Sequence, residues 1–259
     1  MIKALNMAEE TNTVYNDQFF DYLTERSLQS ARVVIPNLLN FVNPKSVIDI
    51  GCGQGAWLRA FQECGIKIVY GLDGPYIIQS KLLIDPANFG MVDLSQPFEI
   101  EGQYELAVCL EVAEHVPAKA ARSLIRTLTT ASPLVLFSAA IPGQGGTYHV
   151  NEQWPAYWKA LFAEHGFQRL DLIRPRVWQD KRVQWWYRQN IFLYASQDEI
   201  RKSALLQVEE QRMQGSQIEC IHESILNRYT SLRGILLEVP RVAFRAIKRR
   251  MSWFLLEHV

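Results

Sequence analysis

This chain of 259 residues has neither a surplus of charge nor a long apolar run: 27 Lys and Arg are offset by 27 Asp and Glu, and no stretch reaches the length that spans a bilayer. The first absence removes the global field that would gather nucleic acid, and the second makes a soluble, cytoplasmic body the expectation. Cysteine is scarce. Cys52, Cys64, Cys109 and Cys220 form no Cys-x-x-Cys pair, and three of the four fall in segments that read as core elements. Buried, reduced thiols are therefore expected rather than a disulfide framework. The opening MIKALNMAEETNTVYND carries acids early and lacks the apolar stretch of a secretory signal. Neither His-x-x-x-His nor a paired-carboxylate spacing occurs around the polar loops described below, so no metal is expected there. No internal repeat or low-complexity tract is present.

What the chain does have begins at residue 46. In SVIDIGCGQG (46–55) four strand-forming positions, Val47 to Ile50, run into a glycine turn, and AWLRAF follows as a helix. A short apolar run of this kind reads as a buried parallel strand. Glycines lack Cβ and so let the backbone turn tightly and approach a ligand, while the helix start points free N–H groups at the same spot. The spacing of Gly51, Gly53 and Gly55 after Asp49 is D-x-G-x-G-x-G, which lacks the third glycine of the dinucleotide fingerprint. No Lys follows before Lys67, which excludes a phosphate-cradling P-loop. A loop without Lys or Arg suits a ligand with no pyrophosphate, and Asp49 would repel phosphate and attract a cation or an amine. S-adenosylmethionine has that chemistry: a sulfonium, an amino group, a ribose and no phosphate.

Strands and acids then recur at regular intervals. IKIVYGLDG (66–74) ends in Asp73, where Rossmann-type sheets hold ribose hydroxyls. MVDLSQPF (91–98) places Asp93 at the end of a third short strand, and YELAVCLEVAEHVP (104–117) supplies a fourth strand and its loop. Over about residues 14–196 this succession resembles the class I S-adenosylmethionine-dependent methyltransferases. The resemblance implies a Rossmann-like, doubly wound, mostly parallel seven-stranded α/β sheet with S-adenosyl-L-methionine as cofactor. It further implies that Asp49, Gly51, Gly53 and Gly55 wrap the methionine end and that Asp73 takes the ribose hydroxyls. Asp93 with the Leu94 backbone would meet the adenine, and the backbone at Leu110 and Glu111 would line the methionine side. On the residues alone, Asp93 also reads as the start of a turn before Ser95-Gln96-Pro97, and Glu111 as a loop or capping carboxylate.

DQFFDYLTERSLQSARVVIPNLLNFV (17–42) has apolar positions at helical spacing and predicts helices interrupted or kinked at Pro36, forming an N-terminal helical cap over residues 1–45. Its aromatics Tyr15, Phe19 and Phe20 read either as core packing or as a lid. The methyltransferase domain is expected over residues 46–196. Within it helices fall at 118–131 and 154–167, strands at 133–142, near 168–174 and at 188–196, and a loop at 176–187. Residues 197–259 read as a helical C-terminal extension. Its last segment puts Arg241, Arg245, Lys248 and Arg249 on one face and Ala243, Ile247 and Phe254 roughly opposite. Such a helix either lies on the inner, anionic face of a membrane with Trp253 at its margin, or docks on the catalytic domain or on a second copy in a homo-oligomer.

The loop after the fifth strand, AAIPGQGGTYHVNEQWPAYW (139–158), is glycine-rich and then densely polar between aromatics, which suits a hydroxylated acceptor. A hydroxyl benefits from a general base, and His is the side chain whose ordinary pKa lies nearest working pH. His149 is the candidate base, with Glu152 orienting it or binding an acceptor hydroxyl. Tyr148, Asn151, Trp154 and Tyr157 are candidate substrate contacts, as is His115 in the loop after the fourth strand, which also competes for the role of base. HVNEQWPAYW, LEVAEHVP and WWYRQN look like a bacterial methyltransferase subgroup often associated with sugar or cell-surface glycan modification. That likeness implies O-methylation of a sugar or glycan intermediate. Two readings stand beside it: methylation of a lipid or quinone precursor, and a non-catalytic S-adenosylmethionine-binding scaffold. Nucleic acid is not an expected acceptor, because the chain has neither an Asn/Asp-Pro-Pro-aromatic motif nor a Pro-Cys nucleophile.

Overall fold

Side chains alternate between the two faces of a strand, and here both faces of the sheet are apolar. Val47, Leu106, Val108, Leu134, Leu136 and Leu193 are buried on one side. Ile48, Ile50, Ala107, Cys109, Val135, Phe137, Phe192 and Tyr194 are buried on the other. A sheet covered on both faces is the parallel, doubly wound kind. The computed structural model describes residues 17–213 and 220–230, and the chain divides into two compact units, Met1–Ile218 and Glu219–Val259.

The sheet of the first unit has seven strands: β1 (Ser46–Ile50), β2 (Ile68–Asp73), β3 (Phe89–Met91), β4 (Leu106–Leu110), β5 (Leu134–Ser138), β6 (Phe167–Leu170) and β7 (Phe192–Ser196). Their order is β3-β2-β1-β4-β5-β7-β6. All neighbours are parallel except β7, which runs antiparallel to β5 and β6. The Rossmann-like, mostly parallel seven-stranded sheet is thus present.

Eight helices are described in this unit. Helix α1 (Asp17–Leu39) packs on α2 (Ala56–Glu63), and α3 (Ala118–Ala131) and α4 (Pro155–Ala163) cover the opposite face. Pro155 occupies the first position of α4, where a missing N–H costs nothing, and Gly166 at φ +76° closes its far end. The short α5 (Arg174–Val177) and α6 (Trp185–Asn190) precede β7, and α7 (Gln197–Lys202) and α8 (Ala204–Met213) follow it. Ser196 caps α7 by accepting from the Glu199 N–H. The second unit contains α9 (Glu223–Thr230).

Several expectations change. Residues 17–39 are a single helix that runs on through Pro36, which sits exposed in the last turn. Residues 176–187 are not all loop, since they hold the end of α5 and the start of α6. The final strand begins only at Phe192, because 188–190 still belong to α6. The expected boundaries at 45 and 196 are not breaks in packing. Ala31, Val34, Ile35 and Leu38 of α1 share one core with Trp57, Leu58 and Phe61 of α2, and Ile200 and Leu206 of α7 and α8 join it. Two cysteines, Cys52 and Cys109, are buried rather than three, and Cys64 at the end of α2 is exposed. Tyr15 and the basic segment 238–259, with Arg241, Arg245, Lys248, Arg249 and Trp253, lie outside the described residues. Among the described residues, no helix is long and apolar enough to cross a membrane.

Candidate functional site

Strand order reverses between β1 and β4, and the carboxyl ends of these two strands open the crevice in which α/β sheets take ligands. Leaving β1, the chain passes through Gly51, Gly53 and Gly55 at φ of +81°, +55° and +82°, left-handed values that a Cβ opposes. A Cβ on Gly51 would also lie 2.3 Å from Val112 Cγ2, whereas one on Gly53 would meet nothing within 4 Å. That side of the loop is open to a ligand. Asp73, the last residue of β2, is buried beside it. Its Oδ2 accepts from the Gly53 N–H at 2.6 Å, and its Oδ1 accepts from the Gly74 N–H at 2.7 Å and from the Tyr76 hydroxyl. Burial pushes the Asp73 carboxyl up against the pull of these bonds. Asp49, inside β1, is also buried, and its Oδ2 has no hydrogen-bond partner among the described residues. Burial first, and the neighbouring Asp73 second, push its carboxyl well above the usual range. A positive group on a ligand would relieve this strain.

The loops after β4 and β5 build the opposite wall. Glu111 adopts φ +57°, and its carboxylate accepts from Gln144 Nε2 at 2.9 Å and from Asn190 Nδ2 at 3.0 Å. Asn190 Nδ2 also donates to Gln144 Oε1 at 2.9 Å, so three separate segments are tied at one point. Burial raises the Glu111 carboxyl, opposed by hydrogen bonds from Asn190, Ser138 and Gln144. Three residues on, Glu114 is fully buried, and neither carboxylate oxygen has a hydrogen-bond partner among the described residues. The backbone N–H groups of Glu114 and Ala140 lie near enough to favour its charged form, yet burial and the adjacent Glu111 prevail and push it well up.

His149 Nδ1 lies 2.9 Å from Glu152 Oε1. Glu152 is itself fixed, since Oε1 accepts from the Gly145 N–H and Oε2 from the Gly143 N–H, both at 2.8 Å. Burial pushes the Glu152 carboxyl up, but the bonds from His149, Gly143 and Gly145 outweigh it and hold the group below its ordinary value. The rings of His115 and His149 meet edge to face with centroids 4.9 Å apart. Crowding of the His115 ring, and then the facing His149, lower its pKa against a hydrogen bond to the Tyr148 backbone, although the residue keeps an exposed edge. His115 is therefore neutral at neutral pH.

His149 and Glu152 come together, with Tyr148 and Trp154 beside them at 46% and 43% exposure. Asn151 does not face a substrate. It is buried, its Nδ2 donates to the Ala113 carbonyl at 3.4 Å, and its N–H and that of Val150 both donate to the Glu114 carbonyl. Asn151 straps the acceptor loop to the loop after β4. Tyr157 is half-buried, edge-on to Trp158 at 5.0 Å. Asp93 is exposed and opens a turn, its Oδ1 accepting from the Ser95 N–H at 2.9 Å and the Ser95 hydroxyl at 2.6 Å. The Val92 N–H on the Asp73 carbonyl, at 2.9 Å, keeps this turn near the crevice. Leu94 packs half-buried on the core, and Leu110, buried at the end of β4, leaves only backbone at the opening. Glu114, Gln144 and Asn190 were not anticipated. Each lies in a segment already singled out, but pairing between distant segments has no spacing signature. Local spacing likewise missed that Glu114, His115 and His149 bring one ligating atom each to within 4.8 Å of one another.

Residues 22–188 match the family model of a methyltransferase domain. No curated protein sequence matches the chain. Among solved structures, a Nostoc punctiforme protein provisionally assigned as an O-methyltransferase is similar with a TM-score of 0.52 at 15% identity, over 69% of this chain and 59% of that one. The chain thus spans about three-fifths of that protein's length. The magnesium protoporphyrin IX methyltransferase of Synechocystis, solved with bound S-adenosylhomocysteine, is similar at 18% identity with a TM-score of 0.49, over 74% of this chain and 94% of that one. At such identities the likeness is one of fold.

Proposed function

Because the chain belongs to the methyltransferase-domain family, whose enzymes draw a methyl group from S-adenosylmethionine, we propose that it methylates a hydroxyl of a sugar or cell-surface glycan intermediate held at His149. The residues present suit that cofactor. Asp49 Oδ2 is a buried carboxylate oxygen without a partner among the described residues, the Gly53 side of the loop is open, and the loop carries no Lys or Arg. Gly51, Gly53 and Gly55 with Asp49 would hold the methionine end, and Asp73 the ribose hydroxyls. The Asp93–Leu94 turn would meet the adenine, and the backbone at Leu110 and Glu111 would line the methionine side.

When bound, the cofactor supplies a methyl group on a positively charged sulfur, open to in-line displacement. Alignment then dominates the chemistry, and the Gln144–Glu111–Asn190 tie keeps the wall beneath the acceptor rigid. His149 takes the hydroxyl proton on Nε2 while Glu152 holds its Nδ1 at 2.9 Å and so fixes the ring. The observation that carries this reading is the imidazole oriented by Glu152, in a loop that also exposes Tyr148 and Trp154. Val150, 64% exposed in the same loop, favours a second reading in which the acceptor is a lipid or quinone precursor.

Methyl-labelled S-adenosylmethionine incubated with the protein and a cell extract separates these readings. Label in nucleotide-sugar or lipid-linked glycan fractions is the expected result, and label only in simple lipids favours the second. No label in any fraction, with cofactor binding established by calorimetry, would leave a binding scaffold and overturn both. His149→Ala should keep cofactor binding and lose about 10²–10⁴-fold in turnover, and full turnover in that variant removes His149 from the chemistry.

A further inference from the structure

We propose that Glu114, His115 and His149 hold a divalent transition-metal cation at the acceptor end of the crevice. Their ligating atoms lie within 4.8 Å of one another. Donors bound tetrahedrally to one ion at about 2.0–2.2 Å are about 3.3–3.6 Å apart, so the three must close by about 1 Å, and the exposed edge of His115 allows it. Glu114 supplies the independent observation. It is fully buried, and neither of its oxygens has a hydrogen-bond partner among the described residues. A buried carboxylate is ordinarily paired, hydrogen-bonded or bound to a metal; here Glu114 has the Glu111 carboxyl as its charged neighbour, which a cation would relieve, and one of its oxygens lies within 4.8 Å of a ligating nitrogen of each imidazole.

The imidazoles are prepared in the way ligating histidines are. Such a ring usually gives its second nitrogen to a carboxylate or backbone carbonyl, which fixes tautomer and orientation. His149 has Glu152 on Nδ1 at 2.9 Å, leaving Nε2 available, and His115 bonds to the Tyr148 backbone. Gly146 packs directly against this edge of the ring, and only glycine fits there, since a Cβ would lie 2.1 Å from Nε2. Two imidazoles and one carboxylate suit Zn²⁺, Mn²⁺, Fe²⁺ or Co²⁺ rather than Mg²⁺ or Ca²⁺, which take oxygen ligands.

What the ion does rests on the hydroxyl-acceptor reading above; its binding does not. Three protein donors leave positions open to an acceptor oxygen, and a hydroxyl facing such an ion gives up its proton far more readily. The proton then passes to water instead of to His149. The oxygen forms its bond to the methyl carbon as the carbon–sulfur bond breaks, and that electron pair stays on sulfur. His149 is on this account a ligand, and Glu152 a positioning residue for it.

The test uses the full chain, stripped with a chelator and dialysed, then titrated separately with Zn²⁺, Mn²⁺ and Co²⁺ by calorimetry, with Co²⁺ absorption as a spectroscopic reading. The expected result is one equivalent bound, weakened at least tenfold by Glu114→Gln and by His115→Ala and unchanged by His165→Ala, which lies far along the chain. Circular dichroism identifies any variant that fails to fold, and the Co²⁺ spectrum of the unaltered protein, with imidazole-type bands, stands without variants. No stoichiometric binding of any of the three ions, or binding indifferent to Glu114→Gln and His115→Ala, overturns the site. Methyl transfer at full rate in the stripped protein would also sink the ion's role while leaving the proposed function intact. Stoichiometric binding with no methylated hydroxyl would do the reverse.

Discussion

The Tyr76 hydroxyl donates to the same Asp73 oxygen that already accepts from the Gly74 N–H, so one side of the carboxylate ending β2 is occupied before any ligand arrives. The Tyr76 ring lies over Gly74, where an added Cβ would come within 2.2 Å of it. A ribose hydroxyl that reaches Asp73 Oδ1 must displace this phenol. Asp73→Ala should therefore weaken S-adenosylmethionine by at least tenfold, about 1.4 kcal/mol, and Tyr76→Phe should bind as tightly as the parent or more so. Calorimetry decides it: weaker binding in Tyr76→Phe would make the phenol a cofactor contact instead of a competitor.

Gly51 and Gly53 share a left-handed backbone but not the same surroundings. Alanine at Gly53 should cost about 1–2 kcal/mol from φ alone and lose far more cofactor affinity than that, because its Cβ enters the open side of the loop. Alanine at Gly51 should cost more stability, since Val112 stands 2.3 Å from the new carbon. Urea unfolding run beside cofactor titration checks the split. Equal losses in both variants would contradict it.

Phe137 of β5 touches Trp158, Phe162 and Tyr194, with ring centroids at 5.3, 5.3 and 5.9 Å. This cluster anchors α4 to the sheet, and so positions the acceptor loop that runs into that helix. Phe137→Ala should destabilise the chain by about 3–5 kcal/mol, read as a shift in urea midpoint at constant slope. A loss under 1 kcal/mol would mean that the cluster collapses to fill the space.

Arg32 of α1 hydrogen-bonds Glu63 of α2 at 2.8 Å, and Arg59 joins it at 3.1 Å. The Arg32 bond first, then Arg59, hold the Glu63 carboxyl down to about 2. A depressed acid contributes stability that is complete above its ordinary range, near 4–5, and lost as pH falls through the folded value. The contribution should thus be present at pH 6 and fade between about 4.5 and 2. Because the pair is exposed, the effect is small and screened by salt. Thermal melts of Arg32→Ala and the parent should differ at pH 6 in low salt and converge toward pH 2, and a constant gap across that range would exclude the linkage.

The strands and the glycine turn were legible because their signals are local. Apolar runs such as Val47–Ile50 and Leu106–Leu110 carry their own burial, and Gly51, Gly53 and Gly55 stand where only glycine relieves a left-handed turn. Helix α6 was hidden inside a segment dense in aromatics and charge, because Trp185, Trp186 and Tyr187 are weak helix formers held by packing; Tyr187 is buried edge-on to Trp57 at 5.1 Å. Pro36 predicted an interruption that did not occur: it forgoes the bond to the Arg32 carbonyl, and the helix is held through it by burial of Val34, Ile35 and Leu38 in the core.

By itself the sequence determined the doubly wound sheet and the glycine loop with its two acids, since each depends on residues close along the chain, and it offered Glu152 either as the partner of His149 or as a contact for an acceptor hydroxyl. Only the tertiary structure decided that Asn151 is buried as a strap between two loops, that Asn190 and Gln144 hold Glu111, and that buried Glu114 comes near two histidines. Those relationships join loops that follow different strands, and what unites them is the parallel register of β1, β4 and β5. That register brings their carboxyl ends to one edge of the sheet, a consequence of backbone hydrogen bonding that no spacing in the chain records.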